Sequence, residues 1–309
     1  MKLSDLLGEI SYECIQGTLS VDVSAVVYDS RKISRGSLFV CIEGLNFDGH
    51  GFAAEAVGGG ACALIVSKPV EGVEGKDVTV IRVEDTRYAL AFISAAWFGH
   101  PAKKLKVIGI TGTKGKTTTT YMVKSILEHA GFKVGLIGTI ETVIGGRHIH
   151  AENTTPESYV LQEDFAKMAE EGMDAVVMEV SSQALKLHRT QGFVFDYGIF
   201  TNLEPDHIGK GEHESFEEYA ACKSRLFVQC RVGIVNGDDV HVGRIVEGHS
   251  CVLETYGMGE ECMLRAGNLT LVNAPGERGV DFHVSGLTDF DVELPSPGRF
   301  SVYNALCAI

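Results

Sequence analysis

The chain has 309 residues, 45% of them hydrophobic and 22% charged, with a formal net charge of -14. That length exceeds one ordinary domain and suits two, each able to bury its own core. So acidic a chain lacks the basic field that draws proteins to nucleic acid or anionic membranes. An anionic ligand must therefore be held by local devices: backbone amides, single Lys or Arg side chains, or metal ions.

Eight cysteines (Cys14, Cys41, Cys62, Cys222, Cys230, Cys251, Cys262 and Cys307) are scattered without a CxxC pair. This argues against a disulfide framework and against a zinc site, and for small buried apolar residues. Met1 to Asp5, with Glu9 following, has no long apolar run and does not read as a signal peptide. No stretch is long and apolar enough to span a bilayer, so a reducing cytoplasm is the expected setting.

In chain order, Ser37 to Ile42 reads as a strand, Phe52 to Val57 as a short helix, and Ala61 to Val66 and Val78 to Val83 as strands. A helical pattern from Tyr88 to Phe98 is broken at Gly99-His100-Pro101-Ala102, which marks a boundary between residues 1-100 and 101-309. Beyond it, Lys106 to Ile110 is a buried strand, Lys116 to Ala130 a helix, and Val134 to Ile137 a strand. Pro156 to Glu171 reads as a helix with Pro156 at its first position. Ala175 to Val180, Tyr197 to Thr201 and Val232 to Asn236 read as strands, and Phe216 to Val228 as a helix. The alternation predicts an α/β protein: a small α/β domain, then a larger one on a mostly parallel sheet, with ligands at the strands' carboxyl ends.

The strongest local signal is Gly109-Ile110-Thr111-Gly112-Thr113-Lys114-Gly115-Lys116-Thr117-Thr118, which follows a strand and opens a helix, as a phosphate loop does. Glycines allow backbone N–H groups to close on phosphate oxygens, and the helix N-terminus adds partial positive charge. Lys116 would reach the outer phosphates and Thr117 would place its hydroxyl on Mg²⁺. The common spacing wants Gly where Ile110 stands; the alternative is a plain glycine turn.

That departure is itself specific, because Thr111 to Thr118 resembles the ATP loop of the Mur ligases, TGTNGKTT. Four further segments resemble the same family in order: Asp29-Ser30-Arg31 with Asp48-Gly49-His50; Thr154-Thr155-Pro156-Glu157; Met178-Glu179-Val180-Ser181-Ser182-Gln183-Ala184-Leu185 with His188-Arg189; and Thr201-Asn202-Leu203 with Asp206-His207, on to Lys223. Together they look like the MurE-type branch, which adds the third amino acid to a UDP-linked cell-wall peptide. Gly298 to Leu306 resembles the close of the family's ATP domain, so the amino-acid-binding third domain is expected to be absent from this chain.

The resemblance implies a UDP-binding first domain, an ATP-binding second domain, and activation of a carboxylate as an acyl phosphate. Gly112, Thr113, Lys114, Gly115, Lys116, Thr117 and Thr118 would bind ATP. Thr117, Glu179, His207 and Lys223, the last carbamylated by CO₂, would hold two Mg²⁺ ions; Lys116, Glu179, His207 and Lys223 would be catalytic. Ser30, Asn46, His50, Thr154, Thr155, Ser181 and Arg189 would grip UDP-N-acetylmuramoyl dipeptide, the partner of a free amino acid. Bland alternatives stand beside these: a strand-end cap at Glu179 with Ser181 and Ser182, a surface Lys223 paired with Glu217 or Glu218, a solvated Arg189, and a simple turn at Asp29-Ser30-Arg31. His213 has no assigned role. The EPDHIG…EH run, Lys114 and Thr-Thr-Pro-Glu-Ser look closest to the lysine-adding branch, with meso-diaminopimelate- or ornithine-adding homologues as alternatives. A monomer is expected. The rivals are a folylpolyglutamate synthase-like ligase and a non-catalytic nucleotide-binding module.

Overall fold

The computed structural model describes residues 1-44, 47-209, 211-274 and 277-309. Asn46, a candidate for the uridine end of the substrate, lies outside the described residues. The chain forms two compact units: Met1–Pro101 with Glu157–Glu163 and Leu187–Phe193, and Ala102–Pro156 with Asp164–Lys186 and Val194–Ile309. No helix among the described residues is long and apolar enough to cross a membrane. All eight cysteines are free thiols, six of them buried.

The first unit contains α1 (Leu3–Leu6), β1 (Glu13–Gln16), β2 (Ala25–Val27), β3 (Ser37–Val40), α2 (Ala53–Gly58), β4 (Ala63–Val66), β5 (Thr79–Arg82) and α3 (Thr86–Trp97). Its sheet has the order β1-β5-β4-β3-β2. The strands β2 to β5 run parallel, and β1 pairs antiparallel with β5. β3 and β4 are buried at every position, as strands covered on both faces must be. Side chains alternate across the sheet. Leu38, Val40, Ala63 and Ile65 meet Leu3, Leu6, Leu90 and Ile93 on one face. On the other, Phe39, Leu64 and Val66 meet Ala53 and Ala56.

The second unit contains β6 (Lys106–Thr111), α4 (Lys116–His129), β7 (Val134–Ile137), β8 (Glu141–Ile144), β9 (Arg147–His150), α5 (Ser158–Glu170, its first turns counted with the first unit), β10 (Ala175–Glu179), α6 (Ser182–Lys186), β11 (Phe195–Phe200), α7 (Phe216–Val228), β12 (Cys230–Asn236), α8 (Val242–Ile245), β13 (Val252–Gly257), β14 (Leu264–Ala274), β15 (Glu277–Gly286), β16 (Phe290–Leu294) and α9 (Arg299–Leu306). Its sheet order is β16-β15-β14-β13-β12-β11-β6-β10-β7-β8-β9. The centre is parallel, and antiparallel hairpins finish both edges.

Two sequence expectations need correction. Pro156 is not the first helical residue. Helix α5 begins at Ser158, because the Glu157 side chain accepts from the Ser158 amide and its carbonyl accepts from Leu161 N. Glu157 is thus the cap, and Pro156 precedes it. Helix α3 starts at Thr86 rather than Tyr88, because Asp85 caps it, accepting from Arg87 N at 2.7 Å and Tyr88 N at 2.9 Å. Replacing Asp85 by Ala should cost about 0.5–2 kcal/mol. The expected result is a lower denaturation midpoint and faster hydrogen exchange in the first turn of α3, with Asp85→Asn retaining most of the stability.

Candidate active site

The strand after β6 in sequence, β7, lies beyond β10, while β11 flanks β6 on its other side. The direction of strand addition therefore reverses at β6. In open α/β sheets the strand ends at such a switch point splay apart and leave a crevice. Register places Glu179 level with Ile110 and Phe200 level with Thr111, so the ends of β10 and β11 flank the loop that follows β6.

That loop is held by close backbone approach. Gly112 has φ +149 and Gly115, the residue capping α4, has φ +85. A Cβ at Gly112 would come within 2.0 Å of Thr201 Oγ1, and one at Gly115 within 2.5 Å of Asn304 Oδ1. Lys114 N donates to Asn202 Oδ1 (2.9 Å), while its carbonyl accepts from Asn202 Nδ2 (2.9 Å) and Thr201 Oγ1 (2.7 Å). The Lys114 ammonium is exposed and pairs with Glu204 at 2.6 Å. Thr118 is exposed on the first turn of α4.

Two lysines converge on this loop. Lys116 Nζ donates to the carbonyls of Gly112 (3.0 Å) and Thr113 (3.1 Å). Burial lowers its pKa, and the charges of Glu179 and Asp206 partly restore it. Lys223 Nζ donates to the same Gly112 carbonyl at 2.9 Å and sits 4.5 Å from the centre of the Tyr219 ring. Lys223 is 1% exposed. Burial, and then the neighbouring Lys116, hold its pKa well below the ordinary lysine range. The surface-lysine alternative fails, since Glu218 pairs with Lys186 and Glu217 with Arg244.

Glu179 is buried at the end of β10. Its Oε1 accepts from Thr117 Oγ1 and from Thr139 N, both at 2.9 Å, and its Oε2 accepts from Thr139 Oγ1 at 3.1 Å. The helix cap belongs instead to Ser181, whose Oγ accepts from Ala184 N at 3.1 Å. Thr154 Oγ1 lies 3.1 Å from Thr139 Oγ1. Thr155 Oγ1 donates to the Glu179 carbonyl (2.9 Å) and accepts from Ser181 N (3.1 Å). Thr117, Glu179, Thr154, Thr155 and Ser181 therefore form one connected group.

His207 stands apart from it. The residue has φ +53, its side chain is 53% exposed, and Nδ1 lies 3.1 Å from Glu212 Oε1. Its ring is 6.1 Å from that of Tyr219. Tyr219 links the neighbourhood, because its hydroxyl shares a 3.1 Å hydrogen bond with Thr113 Oγ1.

In the first unit, Ser30 opens a short 3-10 turn, Ser30–Lys32, whose first amides are capped by Asp29; the Arg31 guanidinium folds back on the same carboxylate. His50 is buried, with Nδ1 2.7 Å from Asp48 Oδ1 and Nε2 accepting from Ser67 N at 3.0 Å. The amide can only donate, so the ring proton sits on Nδ1. Arg189 Nε lies 3.5 Å from Glu157 Oε2, the oxygen that also takes Arg87 Nη1 at 2.6 Å. Arg189 is thus tethered to a carboxylate rather than solvated.

The residues that sequence reasoning missed are Thr139, Tyr219 and Asn304, together with a role for Asn202. Tyr219 was findable, since it precedes Lys223 by one helical turn. Thr139 and Asn304 touch the site only through the fold.

The profile of the Mur ligase middle domain matches residues 110-309, and one described as Mur ligase family, catalytic domain, matches residues 22-98. The UDP-N-acetylmuramoyl-L-alanyl-D-glutamate--2,6-diaminopimelate ligase 1 of Clostridium acetobutylicum is 43% identical over 311 residues, covering 100% of this chain and 63% of that protein. The correspondingly named ligase of Caldanaerobacter subterraneus is 44% identical over 312 residues, with the same coverage. A solved structure of a UDP-N-acetylmuramoyl-L-alanyl-D-glutamate--2,6-diaminopimelate ligase superposes with a TM-score of 0.85 at 24% identity, over 100% of this chain and 62% of that one. The chain thus spans just under two thirds of the length of these relatives. It belongs to the Mur ligase family.

Proposed function

We propose that the chain carries nucleotide- and substrate-binding machinery of an ATP-dependent ligase that adds the third amino acid to UDP-N-acetylmuramoyl-L-alanyl-D-glutamate. The observation that supports this most is the convergence of the partly buried Lys116 ammonium and the buried Lys223 amine on the Gly112 carbonyl, beside the Thr117–Glu179 pair. Cations gathered at a glycine loop that opens a helix are suited to polyphosphate.

The proposed reaction joins a carboxylate to an amine. ATP phosphorylates the carboxylate, and the amine then displaces phosphate through a tetrahedral intermediate. Negative charge accumulates at each step, so fixed positive groups dominate the rate enhancement. Lys116, moving off the Gly112 and Thr113 carbonyls, would meet the outer phosphates, with amides of residues 112 to 118 around them. Lys114 would need to leave Glu204 to join them.

Thr117 Oγ1 and Glu179 Oε1 are hard oxygen donors 2.9 Å apart, a set that fits Mg²⁺. The ion would offset phosphate charge when bound. Thr139 orients Glu179 by occupying both of its oxygens. Lys223 suits carbamylation because burial favours the free amine, the form that attacks CO₂. The neutral amine adds CO₂ and releases one proton, so a neutral group would become an anion able, with His207, to hold a second Mg²⁺. His207 would first have to leave Glu212.

Thr154, Thr155, Ser181, Ser30, Asn46, His50 and Arg189 are proposed, on the family resemblance, as residues that contact the UDP-linked substrate. Arg189 supplies a planar fork for a carboxylate or phosphate. Both ring nitrogens of His50 are already engaged, so its part is to shape the wall. For the incoming amine, the names of the relatives favour diaminopimelate over the lysine suggested by the sequence resemblance. A folylpolyglutamate synthase reading would leave the Mur-type residues 22-98 without a purpose.

Three outcomes test this reading. Lys116→Ala should keep the fold by circular dichroism and lose ATP affinity by roughly 10–100-fold in isothermal titration, the worth of about 1.5–3 kcal/mol per charge-assisted bond; unchanged affinity would sink the phosphate-loop assignment. With labelled bicarbonate, a carbamate ¹³C signal should appear in the native chain and vanish in Lys223→Ala, and a signal that survives the substitution would exclude this lysine. This chain alone should form little or no tripeptide; joined to an amino-acid-binding domain, it should favour meso-diaminopimelate over lysine and ornithine in ligation assays, and a preference for lysine would restore the lysine-adding reading.

A further inference from the structure

We infer that His213, Glu218 and Cys222 form a binding site for a borderline-soft divalent cation of the zinc type, distinct from the Thr117–Glu179 pair. The inference does not rest on the ligase reading.

An imidazole nitrogen, a carboxylate oxygen and a thiol sulfur from these residues all lie within 4.8 Å of one another. Glu218 and Cys222 are one turn apart on α7, so they share a helix face. His213 comes from the loop before the helix, where its amide donates to the His207 carbonyl and its own carbonyl accepts from Gly209 N. The His213 side chain is 1% exposed.

The decisive feature is the His213 ring. Its Nε2 lies 2.8 Å from Ser182 Oγ. Its Nδ1 is buried without a hydrogen-bond partner and faces Glu218 Oε2 at 3.8 Å, too far for a hydrogen bond. If Nε2–H donates to Ser182, Nδ1 presents a bare lone pair to a carboxylate oxygen. Two acceptors then face each other, and neither can satisfy the other. A cation between them satisfies Nδ1, the atom without a partner, and takes the remaining lone pair of Oε2. Metal-bound histidines characteristically donate their second ring N–H to a neighbouring group, as His213 can to Ser182.

The donor set selects the ion. Imidazole, thiolate and carboxylate suit zinc, whereas Mg²⁺ and Ca²⁺ want oxygen alone. Ligand separations in a tetrahedral zinc site are about 3.3–3.8 Å for bonds of about 2.0–2.3 Å, so side-chain shifts of about 1 Å would close this one. Lys186 Nζ holds Glu218 Oε1 at 2.7 Å, and Glu214 N donates to Oε2 at 2.6 Å. Oε2 keeps a second lone pair for the ion. The Glu218 side chain is 31% exposed, which gives the ion a path in and leaves room for water as a fourth ligand. On binding, Cys222 gives its thiol proton to solvent and a sulfur–metal bond forms. Thiolate and carboxylate together then offset the double charge.

Cobalt(II) alone is the first probe. It should bind one ion per chain and produce thiolate-to-metal charge-transfer absorption in the near ultraviolet, which zinc displaces and excess Mg²⁺ does not. Cys222→Ser should abolish the band, and both it and His213→Gln should weaken zinc binding at least about 10-fold. Cys14→Ser, which removes the exposed thiol, should change neither. X-ray absorption on the zinc-loaded native chain needs no variant and should show one sulfur among nitrogen and oxygen ligands. A native chain without the band, a band that survives Cys222→Ser, or a zinc shell without sulfur would each overturn the site.

Discussion

The Gly112 carbonyl accepts hydrogen bonds from two lysines at once, Lys116 and Lys223. Bringing two amines so close would be costly if both carried charge. Burial and mutual repulsion both act against the charge on Lys223. The fold sustains the arrangement with a carbonyl oxygen, the face of the Tyr219 ring and the charges of Glu179 and Asp206. It can do so only because Gly112 lets Thr201 and Asn202 pack where a Cβ would stand. Helices α4 and α7 are thereby tied to one oxygen atom of the loop, with the Lys116 cation placed to meet an anionic ligand and Lys223 held toward its neutral form.

How much of this was legible in the sequence depended on burial pattern. β3, β4, β6 and β10 are covered on both faces, so their apolar runs stood out. Helix α7 was read over its observed span, Phe216–Val228, and the structure shows Ser215 capping it. The edge hairpin β14–β15 and strand β16 were missed. Their alternation of buried and exposed positions, as in Val280, Phe282 and Val284 facing the core, is diluted by glycine and polar residues. Pro156 misled because a proline marks the neighbourhood of a helix start, while the side chain that caps the helix fixes its first residue.

The site was legible by a different route. The glycine loop carried its own physical argument. Glu179, His207 and Lys223 came from family resemblance, and composition alone would have left Lys223 on the surface. Periodicity held more than was taken from it: Tyr219, Ala220, Leu226 and Phe227 form the buried stripe of α7, and Lys223 falls on that stripe. A lysine on the apolar face of a helix requires a partner, which here is a loop carbonyl 111 residues earlier in the chain. Sequence spacing carries no signal for such distant partners, and so Thr139 and Asn304 stayed hidden.

The same reasoning separates two faces of α7. Successive helical residues point about 100° apart, so Lys223 and its neighbour Cys222 need not serve one site. Lys223 points to the phosphate loop, while Cys222 joins Glu218 and His213. The cysteine rule that argued against zinc looks for CxxC pairs, and it passes over a set that takes its sulfur from a helix, its carboxylate one turn earlier and its imidazole from the preceding loop. Tyr219 touches both neighbourhoods, lying 4.5 Å from the Lys223 amine and 5.2 Å from the His213 ring. A side chain packed between them makes the position of α7 a shared constraint: a shift that tightened the His213 cluster would also move the amine at the Gly112 carbonyl.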